Sequence, residues 1–461
     1  MLVTDPPPSP GSARNSLGLV APAVLVSAVL LAAGMGWLMN PLGLLVAATL
    51  AAIMGLAVLR ESPLLLYWLV PASMAVDFRT AVQAYDVLVV LLAVSTLLSL
   101  RYAARSLVLR LQPLEWRYVL FIGFLFTAFF HPVDSRRFLY AIKLFTIALL
   151  AFETARFAVQ RTGRLALAWG PALFCGITAV QIAIRFQTSG IPAFKSVVLR
   201  TYITDLSWGT SNFVAAVLAL CVPVIMFVVR QSTAGSWARW AALAAMGATF
   251  GSLLMTSSRG GFVLIAGYYL LQVKRLRQLN PVVLIAVLAG VAALAFSPFG
   301  VGLMGRFSSE QGANSIFYRV LAWQSAFDRG VTHLPFGVGA GQGFVQMDRL
   351  NTEDPHNYLL TLFSEVGPIG LLGWLWLIFS LWQAAGRLVR SPTTRLAGQT
   401  LQATILIAMF NLLFEPTMPN YIYQTLFWWI AGTMYGTGPP ADLPVRSSTS
   451  PADTALRTVP S

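Results

Sequence analysis

Residues 212–229 read Asn-Phe-Val-Ala-Ala-Val-Leu-Ala-Leu-Cys-Val-Pro-Val-Ile-Met-Phe-Val-Val, an uncharged run that stops at Arg230. Crossing a hydrocarbon layer of about 30 Å takes roughly 20 mostly apolar residues in a helix. This stretch is long enough, and it carries no charge that would have to be desolvated on the way. Comparable runs recur along the chain, ended by Arg, Lys, Pro or Gly clusters. They predict helices near 17–37, 42–59, 63–76, 84–100, 118–130, 138–153, 165–184, 212–229, 239–257, 261–273, 281–297, 367–384, 399–414 and 420–436. That gives about fourteen spans, or twelve if the short runs at 63–76 and 261–273 do not cross. The expected fold is all-α, a polytopic membrane protein.

Composition agrees. Of 461 residues, 57% are hydrophobic and only 10% charged, where soluble domains carry roughly 25% charged residues. Mean hydropathy is +0.71. A soluble enzyme, a disordered scaffold and a nucleic-acid binder are excluded. The formal charge of +14 is instead a matter of sidedness, because positive residues resist export across a membrane. With the N-terminus in the cytoplasm, nineteen of the 31 Lys and Arg fall in inner connections, while most of the acids fall outside. Anionic inner-leaflet lipid is then the partner of the basic face, and no nucleic acid is required. Residues 17–37 are expected to be a retained first span rather than a cleaved signal peptide. Cys175 and Cys221 lie inside apolar runs, so they read as small core side chains rather than a disulfide or metal pair.

The layout expected is a cytoplasmic tail at 1–16, spans one to eleven over 17–297, a large outer loop at 298–366, spans twelve to fourteen over 367–436, and a second cytoplasmic tail at 437–461. Both tails are Pro- and Ser-rich and are expected to be disordered. Chemistry is to be sought in the large loop and in a smaller outer loop at 185–211.

Asp354-Pro355-His356-Asn357 precedes the amphipathic stretch Tyr358–Val366, which stops at Gly367-Pro368. This predicts a short helix with Asp354 as N-cap, Pro355 in the first position, His356 in the first turn and Gly367 just past the end. A histidine there sits at the positive end of the helix dipole, which disfavours a second positive charge and attracts phosphate. Two readings fit: a base beside an anion site, or a structural histidine at the membrane interface. Ser258-Arg259-Gly260-Gly261 at the outer end of the ninth span makes Arg259 either a phosphate ligand or a snorkelling arginine. Arg319 lies in the large loop, and Arg200 in the smaller one is a further phosphate candidate. Arg136, Arg137 and Lys143, at the outer end of the sixth span, hold either a lipid phosphate or only interfacial positions. The run Gly337-Val338-Gly339-Ala340-Gly341-Gln342-Gly343 lacks the G-x-G-x-x-G spacing and a Walker lysine, so it reads as a tight-turning or flexible loop. Neither His131 nor His333 has an obvious partner, and no metal-ligand spacing occurs, so no metal site and no cofactor are expected.

Ser258-Arg259-Gly260-Gly261, Arg319, and His356-Asn357 followed by Gly367-Pro368-Ile369-Gly370 resemble the O-antigen ligase and polymerase family of bacterial inner membranes, over roughly residues 210–375. The resemblance implies a GT-C-like helical glycosyltransferase that moves a glycan from undecaprenyl pyrophosphate to an acceptor hydroxyl, without a metal and on the periplasmic side. It implies Arg259, Arg319 and His356 as catalytic residues, Arg200 as a further phosphate ligand and Asn357 as a residue orienting the histidine or the sugar. The partners it implies are the undecaprenyl-pyrophosphate-linked glycan donor, a lipid or glycan acceptor such as lipid A–core, and membrane lipid. A ligase is favoured, with an O-antigen or exopolysaccharide repeat-unit polymerase as the alternative. A lipid-linked glycan flippase is the rival from another class. It would place ionisable residues along a central path, whereas here they concentrate in one outer loop.

Overall fold

The computed structural model describes residues 63–75, 135–189, 204–206, 209–256, 258, 260–261, 264, 310–342, 345–346, 352–353, 355–413, 415 and 417–436. The expected spans at 17–37, 42–59, 84–100, 118–130 and 281–297, most of 261–273, and both tails lie outside the described residues.

The described residues are mostly helical. In chain order they form α1 (Pro63–Ala75), α2 (Ser135–Thr162), α3 (Arg164–Ser189), α4 (Ser211–Gln231), α5 (Trp237–Thr256), α6 (Glu310–Thr332), a ribbon of β1 (Val345–Gln346) and β2 (Thr352–Glu353), then α7 (Tyr358–Arg390), α8 (Arg395–Leu412) and α9 (Tyr421–Tyr435). The expected helices at 63–76, 138–153, 165–184, 212–229, 239–257, 367–384, 399–414 and 420–436 are all present, several longer than their apolar runs. Three of them, α3, α4 and α7, are long and apolar enough to cross a membrane.

The segment expected as the large outer loop carries secondary structure of its own. The large loop contains α6, a 23-residue helix whose alternation of small, aromatic and charged residues never amounts to an apolar run. The loop also carries the antiparallel ribbon, pairing Val345 with Glu353 and Gln346 with Thr352, a two-residue pairing that leaves the described residues mostly helical, as an all-α membrane protein requires.

Helix α4 packs against α3, α5, α8 and α9. Nearly every side chain from Val214 to Val229 is buried, Cys221 included. Pro223 removes one backbone donor within it, which close helical neighbours make tolerable in a membrane. Its first turn has no cap from Thr210; instead the Ser211 amide donates to Asp205 Oδ1 at 2.5 Å. Helix α9, just as deeply buried, packs along α2 through Gly432 and Gly436. A Cβ on either would run into α2, at Phe152 and Ala155 or at the Arg156 carbonyl and Val159. This is the small-residue contact by which membrane helices approach closely. Exposed apolar stripes face outward from the bundle: Ile369, Leu372, Trp376 and Phe379 on α7, Leu406 and Phe410 on α8 with Leu413 at its C-cap. Spacings of three and four residues put each set on one helix face, as lipid-facing surfaces require.

The bundle has two unlike ends. Arg164 donates to the Gly436 carbonyl at 2.6 Å, setting the start of α3 beside the end of α9. Arg230 and Leu396 line one cleft, which sets the end of α4 beside the start of α8. Arg161, Arg239, Arg387, Arg390 and Arg395 occupy helix termini at this same end. At the opposite end meet the start of α4, the start of α7, the end of α8 and the start of α9, and there the candidate site lies.

Candidate active site

Glu415, in the short connection between α8 and α9, is buried to 8% exposure. Its amide donates to the Asn411 carbonyl at 2.9 Å and its carbonyl accepts from Thr417 at 2.9 Å, which fixes the backbone. A carboxylate buried this far has to be satisfied by donors or by opposite charge, and three other elements supply them. Oε1 accepts from Arg319 Nη2 on α6 at 3.0 Å and from Asn212 Nδ2 in the first turn of α4 at 3.1 Å. Oε2 faces His356 Nδ1 at 3.4 Å. Arg319 and His356 are thus brought into one cluster about a single carboxylate. The sequence reading named both and missed Glu415 and Asn212. One signal pointed to Glu415: an acid directly after the apolar run 399–414, in a five-residue connection on the side where His356 was expected.

His356 does not stand in the first helical turn. The N-cap of α7 is Asn357, whose Oδ1 accepts from the Leu359 and Leu360 amides at 3.0 and 3.2 Å. The helix therefore begins later than Asp354 and Pro355 suggested, because asparagine caps as well as aspartate. His356 precedes the cap with φ of 52°, the one non-glycine residue with positive φ among the described residues. An L-residue held there is strained by roughly 1–2 kcal/mol. Such outliers persist where the surroundings fix them, and here the ring is turned towards Glu415. Asn357 Oδ1 is spent on the helix, so any contact of this residue with substrate falls to its amide nitrogen. Tyr358, buried against Trp374 with ring centroids 5.6 Å apart, anchors the start of α7.

Gly367 does end the first helical segment, at φ 67° and ψ −177°, and α7 continues beyond this kink. Pro368 has no amide proton to give the Ser364 carbonyl, its partner in an unbroken helix. Val338 donates to that carbonyl instead at 2.8 Å, and Gly339 donates to the Glu365 carbonyl at 2.7 Å. The glycine-rich run is therefore a clasp on the broken helix. Its tight turning is real, with φ positive at Gly337, Gly339 and Gly341. A Cβ on Gly337 would meet the Glu365 backbone at 2.5 Å, and one on Gly367 would overlap the Pro335 carbonyl.

The clasp also seats α6. Ala322, Ala326 and Gly330, all buried on one face, lie against Leu360 and Phe363 of α7. Arg319 is on the preceding turn of that face, aimed at Glu415.

The remaining expected residues are not assembled by the described structure. Arg259 and Arg200 lie outside the described residues. Ser258 and Gly261, which flank Arg259, are described: Ser258 is buried, and a Cβ on Gly261 would press on Ala215 at 2.9 Å, one turn along α4 from Asn212. Arg136, Arg137 and Lys143 belong to α2, which enters the bundle at the same end as Glu415; their side chains lie outside the described residues.

Residues 244–375 match the family model described as O-antigen ligase, less than a third of the chain. This bears out, over that stretch, the resemblance read from the motifs. No curated protein matches the chain. The match supports a function of the O-antigen ligase or polymerase type in general, with a lipid-linked glycan and an acceptor as the substrate classes. Arg319 and His356 fall inside the matched segment, and Asn212 and Glu415 fall outside it.

Proposed function

We propose that the protein is a bacterial inner-membrane glycosyltransferase of GT-C-like architecture that transfers a glycan from undecaprenyl pyrophosphate to an acceptor hydroxyl, lipid A–core in the ligase reading, by direct inverting displacement. The observation that carries this is the joining of Arg319 and His356 through Glu415. The arginine-rich end of the bundle suits the cytoplasmic side by the positive-inside tendency, which supports a periplasmic position for the cluster.

The leaving group is a lipid diphosphate, and the charge that grows on it has to be met by a cation. A guanidinium stays charged and presents donors in a fork that fits phosphate oxygens. The bond to Glu415 occupies one of its five N–H donors and orients its plane. Arg259 and Arg200 are the further members of the clamp, so no metal is needed. His356 takes the proton from the attacking hydroxyl at Nε2 while the bond from anomeric carbon to phosphate oxygen breaks. With Nδ1 towards Glu415, the carboxylate selects the tautomer that leaves Nε2 able to accept, and it stabilises the imidazolium formed. Arg136, Arg137 and Lys143, in the sequence of α2, are the residues proposed to meet lipid phosphate as the donor enters.

The test is incubation of purified protein with undecaprenyl-pyrophosphate glycan, with and without lipid A–core. A product only with lipid A–core makes it a ligase, longer glycan without it makes it a polymerase, and no new glycosidic bond rejects the proposal. EDTA is expected to leave the rate unchanged; inhibition reversed by Mg²⁺ contradicts the arginine clamp.

A further inference from the structure

Beside the Arg319–Glu415–His356 cluster an open groove of about 430 Å³ runs along α6, lined by Trp323, Gln324, Phe327, Asp328 and Leu360. Trp323 lies one turn beyond Arg319, and Leu360 lies one turn into the helix that Asn357 caps, so the groove continues directly from the cluster. Phe327 is 52% exposed although its ring is braced against Phe363, nearly parallel with centroids 5.5 Å apart. The Trp323 indole N–H has no acceptor among the described residues.

The chemistry of the lining selects among occupants. A polyprenyl tail would strip water from the Asp328 carboxylate and the Gln324 amide with nothing in return. A diphosphate would be repelled by Asp328. A sugar ring matches both halves: its C–H face, slightly positive, packs on the negative face of an aromatic ring, and its hydroxyls bond to amide and carboxylate. Charge also changes along the helix, with the cation at Arg319 and the acid at Asp328 about 13 Å further on at 1.5 Å per residue. A chain whose diphosphate sits at the first and whose sugars extend towards the second fits this order.

We infer that the groove of Trp323, Gln324, Phe327, Asp328 and Leu360 is a saccharide subsite, which holds the sugars next to the diphosphate; the inference rests on the donor class proposed above. The subsite binds these sugars without the lipid, which separates the two ideas.

The probe is the oligosaccharide freed by mild acid from the host's own lipid-linked glycan, titrated calorimetrically into full-length protein in nanodiscs. Wild type is expected to bind it, Phe327→Ala about tenfold more weakly, Asp328→Asn more weakly by a smaller factor, and Arg319→Lys as wild type, since the probe carries no diphosphate. Both groove changes are at exposed side chains, and circular dichroism with thermal melting checks the fold. Absence of binding by wild type, or undiminished binding by Phe327→Ala, overturns the subsite. So does a loss of farnesyl diphosphate binding in Phe327→Ala, which assigns the groove to the lipid tail. Oligosaccharide binding without any transfer keeps the subsite and removes the proposed reaction. Transfer with an unchanged donor KM in Phe327→Ala keeps the reaction and removes the subsite.

Discussion

Arg319 and Glu415 are 96 residues apart in the chain and 3.0 Å apart in space. The carboxylate that holds the guanidinium also faces His356, so one acidic side chain sets the spacing between the group proposed to meet phosphate and the group proposed to accept a proton. Replacing Glu415 with Gln keeps the shape and removes the charge. Transfer by the purified variant is expected to fall about a hundredfold in kcat, as when a general base loses its support, with the donor KM changed much less. A kcat within a few-fold of wild type shows that the carboxylate only braces the fold.

His356 combines a strained backbone with the proposed proton acceptor. His356→Ala and His356→Gly are both expected to lose transfer. The glycine variant is expected to be the more stable of the two by about 1 kcal/mol, because glycine adopts positive φ freely. Thermal melts of the two side by side check this; equal melting points would mean that the backbone relaxes, and retained transfer would remove the base.

Charge alone does not make a phosphate clamp. Arg319→Lys keeps the positive charge and loses the fork, and a severe loss of transfer is expected, as for Arg259→Lys. Near-normal turnover in both variants rejects the clamp.

Gly367→Ala places a methyl group where the Pro335 carbonyl already lies and imposes positive φ on alanine. The clasp between 333–342 and α7 is expected to open, lowering the melting temperature by several degrees and exposing α6 to limited proteolysis. A variant as stable and as protease-resistant as wild type would mean that the kink is not held by the clasp.

What the sequence showed follows from what membranes demand. Helices such as α4, α8 and α9 were legible because apolar runs that end at arginine or at a polar turn have few other readings. Helix α6 was not, since among its described side chains those buried against α7 are the small residues Ala322, Ala326 and Gly330, and small residues scarcely register as an apolar pattern. The N-cap was misplaced by three residues because Asp354, Pro355 and Asn357 all carry start signals and tertiary contact chose among them. Arg319 and His356 were reached through motifs that resemble the O-antigen ligase and polymerase family. Glu415 was passed over because a single acid between two spans has no local pattern, and its meaning comes from Asn212, Arg319 and His356, which reach it from three other elements.

A proline kink in a membrane helix ordinarily loosens it, leaving a carbonyl unmet and an axis free to swivel. In α7 the missing proton is replaced from another stretch of chain, at Val338, so the bend is sealed. The upper part of α7 and the helix lying across it then form one stiff bracket on the membrane, and whatever opens to admit a donor has to move around that bracket rather than with it.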